Sequence, residues 1–172
     1  MRIFIALELE SDKLRQLQNQ FEMEGIKSAK ALHITFKFFG EIDEVLVEKI
    51  KQKLGEIKFD YFEIETTKIG IFPETGNKIN VVWVGIKSDK LLELQNIIDE
   101  KLSDLVPKEK RFNPHITLGR VKFVIDKKAL LDTIKNVKVD QEKFLIKEFK
   151  LIESILTEEG YMYKDIAKFK LQ

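Results

Sequence analysis

The chain contains two histidines, His33 and His115, and each is followed by Ile and then Thr. Thr fills seven of the 172 positions, so chance would place one two residues after both histidines roughly once in 600. In an extended strand side chains alternate between faces, so residues i and i+2 share a face. His33-Ile34-Thr35-Phe36 and His115-Ile116-Thr117-Leu118 therefore each set an imidazole beside a hydroxyl. Two such strands facing one cleft supply two imidazoles and two hydroxyls, a set better suited to proton transfer at a phosphate than to packing. The fold must bring the two strands together.

An apolar content of 44% and a charged content of 34% describe a globular domain with room for a core. No apolar run approaches the ~18–20 residues needed to cross a membrane as a helix. The opening residues read as a first strand and not as a signal peptide, so the cytoplasm is the expected location. With no cysteine, disulfides, thiolate metal sites and cysteine nucleophiles are excluded. A net charge of +1 rules out a strongly basic coat for nucleic acid. Any polynucleotide contact must be local, and Lys108-Glu109-Lys110-Arg111 is one candidate patch.

Periodicity predicts strands over residues 2–8, 31–40, 59–67, 79–86, 115–123, 144–156 and 161–171. Helices are expected from Ser11 or Asp12 to about Met23, from Asp43 to Gly55, from Ser88 or Asp89 past Leu102, and over residues 126–136. Residues 74–77 read as a turn, and residues 158–160 close a hairpin. The order repeats: strand, helix, His-Ile-Thr strand, helix, strand, twice over. The helix starts Ser11-Asp12-Lys13-Leu14 and Ser88-Asp89-Lys90-Leu91 lie 77 positions apart. Internal duplication is the simplest account. The expected fold is α+β, with duplicated strand-helix-strand units in two antiparallel-type sheets facing a central groove. It is one domain over residues 1–172, with lobes of roughly 1–70 and 79–156 and a C-terminal strand closing a hairpin.

The paired motifs and their surroundings resemble the 2H phosphoesterase superfamily, and within it the RNA 2′,3′-cyclic phosphodiesterases, also called 2′-5′ RNA ligases. The likeness includes Arg2-Ile3-Phe4-Ile5-Ala6-Leu7, Phe38-Phe39-Gly40-Glu41 after the first motif, Gly70-Ile71-Phe72-Pro73, Val82-Trp83-Val84-Gly85, and Pro114-His115-Ile116-Thr117-Leu118-Gly119-Arg120. It implies a bilobal α+β fold with one histidine from each lobe in a groove. It also implies that the partner is RNA or a nucleotide ending in 2′,3′-cyclic phosphate, opened to a 2′-phosphomonoester. By the family's usual assignment His33 is the general acid and His115 the general base.

Thr35 and Thr117 would donate to the non-bridging oxygens. Phe72, at a loop, is a candidate for stacking on a base, while Trp83 is expected in the core. Arg120 resembles a phosphate-binding arginine of the family. Strict alternation puts it opposite His115, so it needs a bulge to reach the groove. Lys37 has the parity of His33 and is a candidate substrate contact. Neither motif has a carboxylate at ligand spacing, so no metal and no other cofactor is expected. Two readings compete: 2′-5′ ligation of RNA ends in the same groove, and a non-catalytic RNA- or nucleotide-binding module. A monomer is expected.

Overall fold

The structure is a computed structural model that describes residues 1–75, 78–124 and 126–172. Gly76 and Asn77, within the turn expected at 74–77, lie outside the described residues. The elements run β1 (Arg2–Leu9), α1 (Asp12–Asn19), β2 (Ile26–Ser28), β3 (Leu32–Glu41), α2 (Glu44–Gly55), β4 (Phe62–Phe72), β5 (Val81–Lys87), α3 (Asp89–Lys101), β6 (His115–Val121), α4 (Lys127–Asn136), β7 (Lys143–Ile146), β8 (Glu148–Thr157) and β9 (Gly160–Lys170).

Each helix starts at a short polar side chain that takes up an orphan backbone N–H. Ser11 accepts from Leu14 N at 3.0 Å, Asp43 from Leu46 N at 2.8 Å, Ser88 from Leu91 N at 3.2 Å, and Asp126 from Ala129 N at 2.9 Å. The α1 helix stops at Asn19, short of the expected Met23, and Phe21 beyond it is still buried.

The strands form two antiparallel sheets. One has the order β3-β1-β8-β9 and the other β2-β6-β5-β4-β7. Each sequence half keeps its first strand and its motif strand paired, β1 with β3 and β5 with β6. Each half sends its last strand across, so β4 pairs with β5 and β8 with β1. The run read as one strand over residues 144–156 is two strands, because β7 pairs with β4 while β8 pairs with β1. Lys147 is the crossing point between the sheets. On β1, Ile3, Ile5 and Leu7 face a shared core with Leu14, Leu17, Leu91, Leu94 and Ile98 from the helices. The opposite face of β1 carries Phe4 and Ala6, which form a separate small cluster with Ile152 and Tyr163.

Both motif strands are bulged at the fourth residue of the motif. Along β1 and β3, Ile5 pairs with Lys37 and Ala6 with Thr35, leaving Phe36 as the extra residue. Along β5 and β6, Val82 pairs with Gly119 and Trp83 with Thr117, leaving Leu118 as the extra residue. A bulge shifts the alternation by one, so two consecutive side chains share a face. Phe36 and Lys37 are accordingly both buried, and so are Leu118 and Gly119.

Candidate active site

The bulges decide which side chains share a face with the histidines. On β6 the slip at Leu118 returns Arg120 to the face of His115 and Thr117. A cavity of about 390 Å³ is lined by His33, Thr117, Arg120, Lys122, Tyr161 and Tyr163, among others, while His115 and Thr35, expected in the same groove, are not in its lining. On β3 the same slip has the opposite effect. Lys37, expected beside His33, turns into the core, where it is 4% exposed and donates to Asp99 Oδ1 at 2.8 Å and to Pro107 O at 2.7 Å. It is not among the residues that line the cavity of His33. Phe38, which strict alternation would set inward with Ile34 and Phe36, is instead 47% exposed beneath the Arg2 guanidinium. A larger hollow of about 1200 Å³ lies between α2 and β9 and has neither histidine in its lining.

Each histidine sits against two aromatic rings. His33 lies 5.3 Å from Phe4 and 5.6 Å from Tyr163, centroid to centroid. His115 lies 5.0 Å from Phe72 and 6.0 Å from Trp83. Phe72 thus walls in His115, and Trp83, buried as expected, stands behind it at 4.9 Å from Phe72. Room for the indole comes from Gly70, where a Cβ would lie 2.2 Å from Trp83 Cζ2.

These walls act on the titration of both imidazoles. The pKa of His33 is pushed down, first by burial, which strips water from the imidazolium, and further by the Arg120 and His115 charges. Glu8, opposite His33 across the β1–β3 pair, and the Ala31 backbone pull the other way. His115 is also pushed down, by burial first and by Arg120, against a hydrogen bond with a backbone carbonyl. That carbonyl is Asn113 O, 2.7 Å from Nδ1. A carbonyl can only accept, so Nδ1 carries the proton in neutral His115 and Nε2 keeps a free lone pair. Such a site can accept a proton at one ring and deliver one from the other.

Sequence reading missed Glu8, Phe4 and Tyr163. Phe4 and Glu8 share a face of β1, which the alternation of residues 2–8 does give, but only the sheet order shows that this face lies beside His33. Lys150 pairs with Glu8 and with Asp165 at 2.9 Å, so the carboxylate near His33 is itself held in place. Among the described residues no three His, Cys, Asp or Glu side chains are grouped to hold a metal ion. Among those residues, too, no helix is long and apolar enough to cross a membrane.

The family described as LigT like Phosphoesterase matches the chain twice, over residues 7–83 and 84–163. The RNA 2′,3′-cyclic phosphodiesterase of Methanocaldococcus jannaschii is 41% identical, over 98% of this chain and 100% of that protein. The protein of the same name from Archaeoglobus fulgidus is 35% identical, over 99% of this chain and 100% of its own. Among solved structures, TT0787 of Thermus thermophilus superposes with a TM-score of 0.81 at 24% identity, covering 99% of this chain and 97% of that one. It shares the arrangement of sheets and helices, and the doubled match agrees with a duplicated chain.

Proposed function

The chain belongs to the LigT-like phosphoesterase family, and we propose that it hydrolyses RNA ends bearing a 2′,3′-cyclic phosphate to 2′-phosphomonoesters by metal-independent acid–base catalysis. The observation that supports this reading is that His33 and His115 lie near enough for the charge of one to act on the other, each with a threonine two residues on along a bulged strand. The names of the full-length relatives supply the substrate.

In the reaction, water attacks phosphorus in line with the leaving 3′-oxygen. His115, with Nε2 unprotonated, takes the proton of the attacking water. His33 gives a proton to the 3′-oxygen as the P–O bond breaks, leaving the phosphate on the 2′-oxygen. The Glu8 carboxylate near His33 favours the protonated form there and supports giving His33 the acid role. Thr35, Thr117 and Arg120 stabilise the charge that grows on the non-bridging oxygens. Both histidines come from one chain, so the site needs no second copy, and the protein works as a cytoplasmic monomer.

The deciding experiment incubates the protein with an oligoribonucleotide ending in 2′,3′-cyclic phosphate and separates the products by isomer. A 2′-phosphate product supports the reading. A 3′-phosphate product means that the leaving oxygen is the 2′ one. An intact end with RNA retained supports a binding module, and joined 2′-5′ ends support ligation.

A further inference from the structure

The two strands that carry the histidines are each tied to a helix of the other half of the chain through buried polar groups, and a glutamine stands at the same repeat position in both ties. Gln18 on α1 and Gln95 on α3 lie 77 positions apart, the same interval as the caps Ser11 and Ser88. Both glutamines are buried, at 5% and 4% exposure. Gln18 Nε2 donates to Ala29 O and to Leu118 O, each at 2.8 Å. Ala29 lies on the approach to His33, and Leu118 is the bulged residue beyond His115.

The second fastening crosses in the other direction. Gln95 Nε2 donates to Asp99 Oδ2 at 2.9 Å, and the same oxygen accepts from Glu109 N at 2.9 Å. Lys37 Nζ donates to Asp99 Oδ1 and to Pro107 O, and lies 3.5 Å from the Glu109 carboxylate. Pro107 and Glu109 lie on the approach to His115, and Lys37 follows the bulged Phe36. Phe36, inward on the same face as Ile34, adds a second tie by stacking on Phe112 at 6.0 Å with an interplanar angle of 19°. The next residue, Asn113, holds the His115 ring through its carbonyl.

We propose that Lys37, Asp99 and Gln95 form a positioning brace that fixes where His115 stands relative to His33. This rests on the acid–base reading of the two histidines. Stability is a weak reason to bury this ion pair, since apolar replacements of such pairs are often neutral or stabilising. What an apolar pair cannot do is hold oxygens on two separate segments at set distances. Lys37 has the donors for that, and it joins β3 to α3 and to the approach segment at once. The bulge at Phe36 is what makes its inward placement possible.

The test uses the full chain with Lys37→Met and Asp99→Leu combined, because either change alone strands a buried charge. With only two histidines, both imidazoles are resolved by NMR during a pH titration. The double variant is expected to stay folded, with the His115 ring signals and titration midpoint moved more than those of His33. On the cyclic-phosphate oligoribonucleotide, kcat is expected to fall about 10- to 100-fold, as misplacement of a reacting group by about 1 Å does, and KM to change by less than about threefold. A folded double variant with wild-type His115 signals and wild-type kcat overturns the brace. So does a rise in KM at unchanged kcat, which would make Lys37 a substrate contact after all. Gln95→Leu removes only the outermost bond and serves if the double variant does not fold. It is expected to move the same His115 signals by less, and no movement there also overturns the proposal. If the wild-type protein leaves the RNA end intact, the proposed function fails, while the imidazole spectra still decide the brace.

Discussion

The Tyr163 ring stands edge-on to the His33 imidazole, with centroids 5.6 Å apart and planes at 71°. Phe72 meets His115 in the same way, at 5.0 Å and 84°. Both titrating rings are thus wrapped in apolar surface, which disfavours the charged imidazolium. The neighbourhoods differ in one respect: a carboxylate, Glu8, acts on His33, and the charge acting on His115 is that of Arg120.

The first prediction is the pH dependence of kcat/KM. Free histidine titrates near ~6.5, and both histidines here are pushed below their ordinary value. The acid must be protonated and the base neutral, so activity falls as pH rises through the pKa of the acid. That alkaline limb should lie on the acid side of neutrality, and the whole bell with it. The limbs belong to the coupled pair. A bound phosphodiester anion favours imidazolium, so the alkaline limb of kcat should lie above that of kcat/KM. An alkaline limb of kcat/KM at or above pH ~7.5 would show that burial does not govern these rings.

The second prediction concerns removal of each histidine. His33→Ala and His115→Ala should each lower kcat by about 10²- to 10⁴-fold, the usual contribution of one positioned acid or base. Binding of a cyclic-phosphate oligonucleotide should largely survive, since the threonines and Arg120 remain. Chelator should leave wild-type turnover unchanged. Loss of turnover with chelator and its return with zinc or manganese would replace this mechanism with metal catalysis.

The positions of Lys37 and Arg120 mark where the sequence stops being legible. Alternation assigns Lys37 to the groove and Arg120 away from it, and the structure reverses both, because each strand slips by one at the motif's fourth residue. Nothing local signals those bulges, since Phe36 and Leu118 are ordinary strand residues. Most strands, the four helix starts and the two-part repeat were legible, because each depends on residues close in sequence, whereas the three-residue β2 (Ile26–Ser28), which stands only by pairing with β6, was not. The exchange of β4 and β8 between the sheets was not, and neither was Tyr163 beside His33, which depends on strands 130 positions apart. The run over residues 144–156 looks continuous because both of its strands are apolar. Its division at Lys147 follows from two different partners, which periodicity cannot register.

The third prediction tests the wall behind His115. In Gly70→Ala the new methyl would lie 2.2 Å from Trp83 Cζ2 and 2.3 Å from Cη2, so the indole must move. Overpacking of this kind costs about 1–3 kcal/mol. Trp83 is the chain's one tryptophan, so its emission reports the displacement directly. A lower Tm, altered emission and reduced kcat are expected together, because Phe72 and His115 lean on the same ring. Unchanged emission and Tm would mean that the indole is not held against Gly70.

The last prediction follows from the position of Arg120 between two jobs. Its charge is among the causes that lower the pKa of both His33 and His115. Its side chain also lines the cavity that holds His33 and Thr117. Arg120→Gln removes the charge and keeps a polar side chain of similar reach. The sign for the histidines is fixed: without a nearby cation the imidazolium forms more easily, so both titration midpoints should rise. The alkaline limb of kcat/KM should move to higher pH with them. The substrate loses a charge-assisted partner at the same time, so kcat/KM at its optimum should fall by about 10- to 100-fold. The exposed guanidinium is open to screening, so added salt should shift the wild-type midpoints in the same direction as the substitution, and the variant's by less. A variant with raised midpoints and unchanged kcat/KM would confine Arg120 to tuning the histidines. Unchanged midpoints with a large loss of kcat/KM would confine it to the phosphate.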